Sequence, residues 1–272
     1  MSLSTTFAVA IDSDGCVFDN MSLKHRECFG PSLIRLWQLE AVAGEVQQAW
    51  ETINLYSPKR GINRFLALLA FWRSFPSDQL PQGFVRPDIS GMEVLADGTA
   101  SLSPDSIKRE LAKKEDRFLS QALEWSRAVN RCVAELKSQP PSFPCTLEFI
   151  RSLSAVARID VVSSANRETI QEEWTAAGLD PFVNDYVTQE RCSKKEYLTD
   201  LVRQGRNTLM IGDSPGDWDA AKAAGSWFYP ILPGNEAESW RKLLQFWEES
   251  GHQGVFCEHS KAVDEYSTTL GL

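Results

Sequence analysis

The chain has 272 residues, a formal charge of −9 and an isoelectric point near 5.0. Its 43% hydrophobic content excludes a disordered chain and suffices for a sizeable core. Its acidity excludes a general nucleic-acid binder, which needs a basic face for phosphates.

The first apolar run, Phe7–Ile11, ends in Asp12-Ser13-Asp14-Gly15. A short apolar run closed by a polar turn reads as a buried strand. Acids at its end project into the crevice beyond the carboxyl edge of a parallel sheet, where open α/β folds bind ligands. One such carboxylate can be a nucleophile or metal ligand, and the one two residues on a general acid. The competing explanation is that aspartates favour turns after strands.

Residues 20–141 read mainly as helices, at 23–39, 44–55 and 63–74, and from a start at Ser103-Pro104 to about Leu136. In the last of these, Phe118, Ala122, Trp125, Val129, Cys132 and Leu136 form a stripe that faces a partner helix or an ordinary core. His25 reads as a helix-surface histidine. The run Tyr56-Ser57-Pro58-Lys59-Arg60-Gly61-Ile62-Asn63-Arg64 joins two helices and concentrates cations in an acidic chain. Residues 75–102 are rich in Pro and Gly, and Asp97-Gly98 suggests a tight hairpin turn. Ser138-Gln139-Pro140-Pro141 suggests a linker.

Beyond it, strands are expected at 159–162, 208–211 and 228–232, with a weaker one at 186–187. Helices are expected at 170–177, 195–203 and 217–224, the last closed by Gly225. The alternation implies a parallel sheet with covering helices. Ser163 follows one strand, with Ser164 its close competitor as an anion-binding hydroxyl. Lys194, with Lys195 adjacent, would place a cation beside the acids. Gly212-Asp213-Ser214-Pro215-Gly216-Asp217 follows another strand. Its acids and those of the first motif would repel one another without a cation, and hard oxygen ligands without clustered His or Cys suit Mg²⁺. The same stretch fits the G-x-S-x-G elbow of serine hydrolases, but Pro215 lacks the N–H that an oxyanion hole needs.

The six cysteines include no C-x-x-C pair and are scattered, which suits reduced thiols in a cytoplasmic protein. No signal peptide is visible, and the apolar stretch 66–72 is too short to span a bilayer.

In order, D-x-D-G, Ser, Lys and G-D-x-x-x-D resemble the haloacid dehalogenase superfamily, here as Asp12-Ser13-Asp14-Gly15, Ser163, Lys194 and Gly212 to Asp217. The resemblance implies a Rossmann-like α/β parallel-sheet core, residues 1–19 and 142–272. A mainly α-helical cap, residues 20–141, is inserted after the first strand, as in the phosphoglycolate phosphatase and β-phosphoglucomutase branch. It implies a Mg²⁺-dependent phosphatase acting on a small phosphorylated metabolite, in a monomer or homodimer. Asp12 would attack phosphorus, Asp14 would act as acid and base, and Ser163 and Lys194 would bind phosphoryl oxygens. Asp12, Asp14, Asp213 and Asp217 would hold the metal, and Lys59, Arg60 and Arg64 would contact substrate. An aspartate at position 14 favours phosphoester chemistry over dehalogenation. The alternatives are a phosphosugar mutase and a non-catalytic phosphometabolite-binding protein.

Overall fold

A computed structural model describes residues 6–98, 102–136, 141–165, 167–188, 191–252, 255 and 257–272. Along the chain, β1 (Phe7–Ile11) is followed by α1 (Asn20–Lys24), α2 (Gly30–Leu36), α3 (Ala43–Leu55), α4 (Arg64–Ser74), α5 (Ser90–Asp97), α6 (Pro104–Leu111) and α7 (Arg117–Glu135). Then come α8 (Thr146–Leu153), β2 (Arg158–Ser163), α9 (Arg167–Ala176), β3 (Asp185–Thr188), α10 (Lys194–Arg203), β4 (Asn207–Gly212), α11 (Pro215–Ala224), β5 (Trp227–Pro230), α12 (Glu236–Glu249) and α13 (Ser260–Leu270). The chain forms two units, Met1–Met21 with Gln139–Leu272, and Ser22–Ser138.

In the first unit the strands form one sheet in the order β3-β2-β1-β4-β5, and every neighbouring pair is parallel. The architecture is therefore the Rossmann-like α/β core expected. The register sets Ile11 beside both Val161 and Ile211, so β1, β2 and β4 end at the same edge within two residues of one another. Successive side chains point to opposite faces. Val9, Ile11, Ile159 and Ile211 join one buried cluster with Phe149, Trp174 and Trp240. Ala8, Ala10, Val162 and Met210 join a second with Leu198, Ala221 and Tyr266. Burial on both faces is why these strands read as unbroken apolar runs. Two helices start within two residues of the expected positions: Ser193 caps α10 in a reciprocal box with Glu196, and Ser214 caps α11 with Asp217. Gly225 closes α11 at φ 72°, a left-handed conformation that glycine adopts without penalty.

The second unit is helical and has its own core, which includes Leu33, Trp37, Trp50, Phe71, Trp72, Phe118 and Trp125. Trp50 and Trp125 meet edge to face, centroids 5.5 Å apart. Several local expectations are corrected here. The segment 23–39 contains a widened π-helical turn at His25–Phe29. Pro31 lacks the N–H that a regular helix would send back to Glu27, and the wider turn accommodates the gap. The single helix from Ser103 to Leu136 is two, α6 and α7, because Asp116 turns extended and its carboxylate caps α7 at Leu119 N. Asp97-Gly98 is no hairpin but the end of α5, and residues 99–101 lie outside those described. So do 137–140, most of the expected linker. His25 is buried rather than exposed; Trp50 donates to its Nδ1 at 3.0 Å and Phe29 stacks on it.

Cys28 and Cys132 form a disulfide within this unit, correcting the expectation of reduced thiols throughout. The pairing depends on bringing the His25–Phe29 turn beside α7, which spacing along the chain does not reveal. No described helix is long and apolar enough to cross a membrane.

Candidate active site

Asp12 is the first residue after β1. Its N–H still donates to Ile211 O at 2.9 Å, so the sheet ladder itself fixes its backbone. The loop that follows is held tightly. Val17 N donates to Ser13 O, Trp174 Nε1 to Ser13 Oγ, and Trp240 Nε1 to Cys16 O. Asp12 Oδ1 accepts from Ser13 N at 2.8 Å and pairs with Lys194 Nζ at 2.9 Å.

Lys194, the first residue of α10, also reaches Asp217 Oδ1 at 2.6 Å. The other Asp217 oxygen is taken by Ser214, through N at 3.0 Å and Oγ at 2.7 Å. Asp213 follows β4 and is buried. Asp12, Asp213 and Asp217 each offer an oxygen, all within 4.8 Å of one another. Two of these three buried carboxylates, Asp12 and Asp217, pair with the Lys194 ammonium. Burial, aided by Asp217 and Asp213, holds the Asp12 carboxyl well above its ordinary range against the opposing pull of Lys194. Burial would pull Lys194 down, but Asp12 and Asp217 overcome it and keep the ammonium charged.

This donor set fits a divalent cation. It is hard and anionic, with no His or Cys among it. Both Asp217 oxygens are already engaged, one by Lys194 and the other by Ser214. Gly212 makes the packing possible: a Cβ there would lie 2.6 Å from Asp217 Cβ, Cγ and Oδ2.

Ser163 ends β2, two residues beyond the Val161 that pairs with Ile11, and is buried; its Oγ accepts from Ala165 N. Its competitor Ser164 is exposed, as is Lys195. Lys194, not Lys195, meets the acids. Asp14 is half-buried, and its Oδ1 accepts from Asn20 Nδ2. Asn20 in turn lies 3.4 Å from both carboxylate oxygens of Glu173 on α9. Sequence reasoning passed over Asn20 and Glu173. One signal was legible, an acid at 173 on the apolar stripe of Ile170 and Trp174. Ser214 is a helix cap bonded to Asp217, which removes the serine-elbow reading.

The three cations of the helical unit differ in their surroundings. Lys59 is exposed. Arg60 is buried and its Nη1 donates to Leu55 O at the carbonyl end of α3. Arg64 meets neutral partners, Ser126 Oγ at 3.2 Å and Asn130 Oδ1 at 2.7 Å, and lies over the Phe29 ring. Burial lowers its pKa.

No curated protein matches the sequence significantly. Among solved structures, the chain is similar to a haloacid dehalogenase-like hydrolase from Xanthomonas campestris, at 12% identity over 93% of this chain and 97% of that one, TM-score 0.44. It is similar to a magnesium-bound HAD hydrolase from Bacillus subtilis, at 16% identity over 83% and 86%, TM-score 0.44. It is also similar to a predicted phosphoglycolate phosphatase from Haemophilus somnus, at 17% identity over 89% and 98%, TM-score 0.42. Likenesses this loose say nothing about substrate. The family model described as haloacid dehalogenase-like hydrolase matches residues 99–229, which contain Ser163, Lys194, Asp213 and Asp217. Asp12 and Asp14 lie outside that stretch, yet Asp12 stands within 2.9 Å of its lysine. Over residues 99–229 the chain is similar to haloacid dehalogenase-like hydrolases.

Proposed function

We propose that the protein is a Mg²⁺-dependent phosphomonoester hydrolase acting on a small phosphorylated metabolite through an aspartyl-phosphate. The observation that carries this reading is Lys194 bridging Asp12 and Asp217 beside Asp213 at the carboxyl edge of the sheet. Asp12, Asp213 and the Asp14 main-chain carbonyl would hold the metal, with Asp217 close by. When bound, Mg²⁺ supplies the positive charge that lets an anionic nucleophile approach an anionic phosphate.

Ser13 N and Lys194 fix Asp12 Oδ1 and so orient the carboxylate whose other oxygen attacks phosphorus. As the Oδ–P bond forms, the bond to the leaving oxygen breaks and Asp14 gives that oxygen a proton. Asp14 then takes a proton from the water that hydrolyses the aspartyl-phosphate. Asn20 holds Asp14 for both transfers. Ser163 and Lys194 bind phosphoryl oxygens as charge redistributes. The helical unit acts as the substrate-selecting cap of the phosphoglycolate phosphatase and β-phosphoglucomutase branch. Lys59 and Arg64 are its cations for a substrate anion; Arg60, proposed with them from the sequence, is buried against α3. The setting proposed is cytoplasmic, although the Cys28–Cys132 disulfide is uncommon there.

Asp12→Asn should abolish phosphate release from p-nitrophenyl phosphate in the presence of Mg²⁺, while wild type turns over. Undiminished turnover in the variant would overturn the mechanism. With sugar monophosphates, free phosphate supports the hydrolase; an isomer without phosphate would make the protein a mutase.

A further inference from the structure

We infer that Tyr266 is a positioning residue for the metal-binding carboxylate of Asp213; this rests on the reading above that Asp213 is a ligand. Tyr266 lies on α13, beyond the residues matched by the family model. Val263, Tyr266 and Leu270 recur in steps of three and four, and that stripe packs α13 on the sheet. Tyr266 is fully buried, with its ring edge-on to Phe228 of β5 at 5.9 Å and to Trp218 of α11 at 6.3 Å. A phenylalanine would satisfy that packing. The hydroxyl has a different target: it donates to Asp213 O at 3.1 Å.

The preceding carbonyl, Gly212 O, accepts from Ile231 N at 2.8 Å. Both peptide planes that flank the Asp213 Cα are therefore pinned, one by the chain after β5 and one by α13. With both planes held, the Cα–Cβ bond of Asp213 has one direction, set toward Asp12 and Asp217. The carboxylate needs no backbone adjustment when it takes up a cation. Partners that orient a ligand in this way typically govern metal affinity.

The test is Tyr266→Phe in the full chain, with Val263→Ala as a packing control on the same helix. Mg²⁺ binding is measured by calorimetry, the melting temperature in EDTA, and p-nitrophenyl phosphate turnover against Mg²⁺ concentration. Tyr266→Phe should weaken Mg²⁺ binding about tenfold and raise the Mg²⁺ needed for half-maximal rate equally, with KM at saturating Mg²⁺ within about twofold. Val263→Ala should lower the melting temperature and leave Mg²⁺ affinity alone. A Mg²⁺ affinity within about twofold of wild type in Tyr266→Phe overturns the inference. So does an equal loss in both variants, or a wild type that binds no Mg²⁺. A wild type that binds Mg²⁺ but releases no phosphate defeats the catalytic reading alone, since the binding measurement still decides the role of Tyr266.

Discussion

Lys194→Met removes the ammonium that bridges Asp12 and Asp217, and keeps its length and most of its apolar volume. At 2.9 and 2.6 Å from Asp12 and Asp217, with an effective dielectric of about 20, each pair has a gross attraction of about 6 kcal/mol. Desolvation of the ions cancels much of this. Breaking such a buried pair, which strands the partner charge, costs about 3–5 kcal/mol, or about 10 °C in the melting temperature of the sheet unit. The loss depends on pH. Without Lys194, which lowers it, the Asp12 pKa climbs further above its unfolded value. A carboxyl raised on folding contributes stability below its unfolded value, about 3.9, and loses it as pH rises through the folded value. The variant should therefore approach wild type near pH 4.5 and fall furthest behind near pH 8, in urea titrations with EDTA. Turnover should be lost at every pH. A variant at pH 8 within about 1 kcal/mol of wild type would refute the claim that Lys194 compensates buried charge.

Gly212→Ala places a methyl 2.6 Å from Asp217 and must displace α11 or the loop; calorimetry should show a loss of about 1–3 kcal/mol, with turnover reduced more than stability alone explains. Burial lowers the pKa of His259, whose Nε2 faces Val255 O. Its contribution is complete above the unfolded value and is lost as pH falls through the folded one, so His259→Gln should flatten the decline in urea midpoint between pH 7 and 5. The Cys28–Cys132 disulfide closes a separation of 104 residues, for which chain entropy suggests up to about 4.7 kcal/mol. Dithiothreitol should lower the melting temperature of wild type but not that of Cys28→Ser/Cys132→Ser.

The residues alone determine the class of the core and mark most of its candidate site. Phe7–Ile11 and 208–211 each end abruptly in acids, and parallel strands buried on both faces leave that signature in one dimension. Because those strands end within a residue of each other, residues far apart in the chain meet, and Asp12, Asp213 and Asp217 were legible from local motifs. The helical unit was less legible. One carboxylate, Asp116, divides a stripe that reads as a single helix, and a proline widens a turn without ending it. Only the tertiary structure could decide between Lys194 and Lys195, bury His25 and Arg60, or join Cys28 to Cys132. It alone brings Asn20 to Asp14, Glu173 to Asn20, and Tyr266 to the carbonyl of Asp213. Those contacts follow from how helices pack on a twisted sheet, and a side chain's partner across that packing leaves no periodic trace in the sequence.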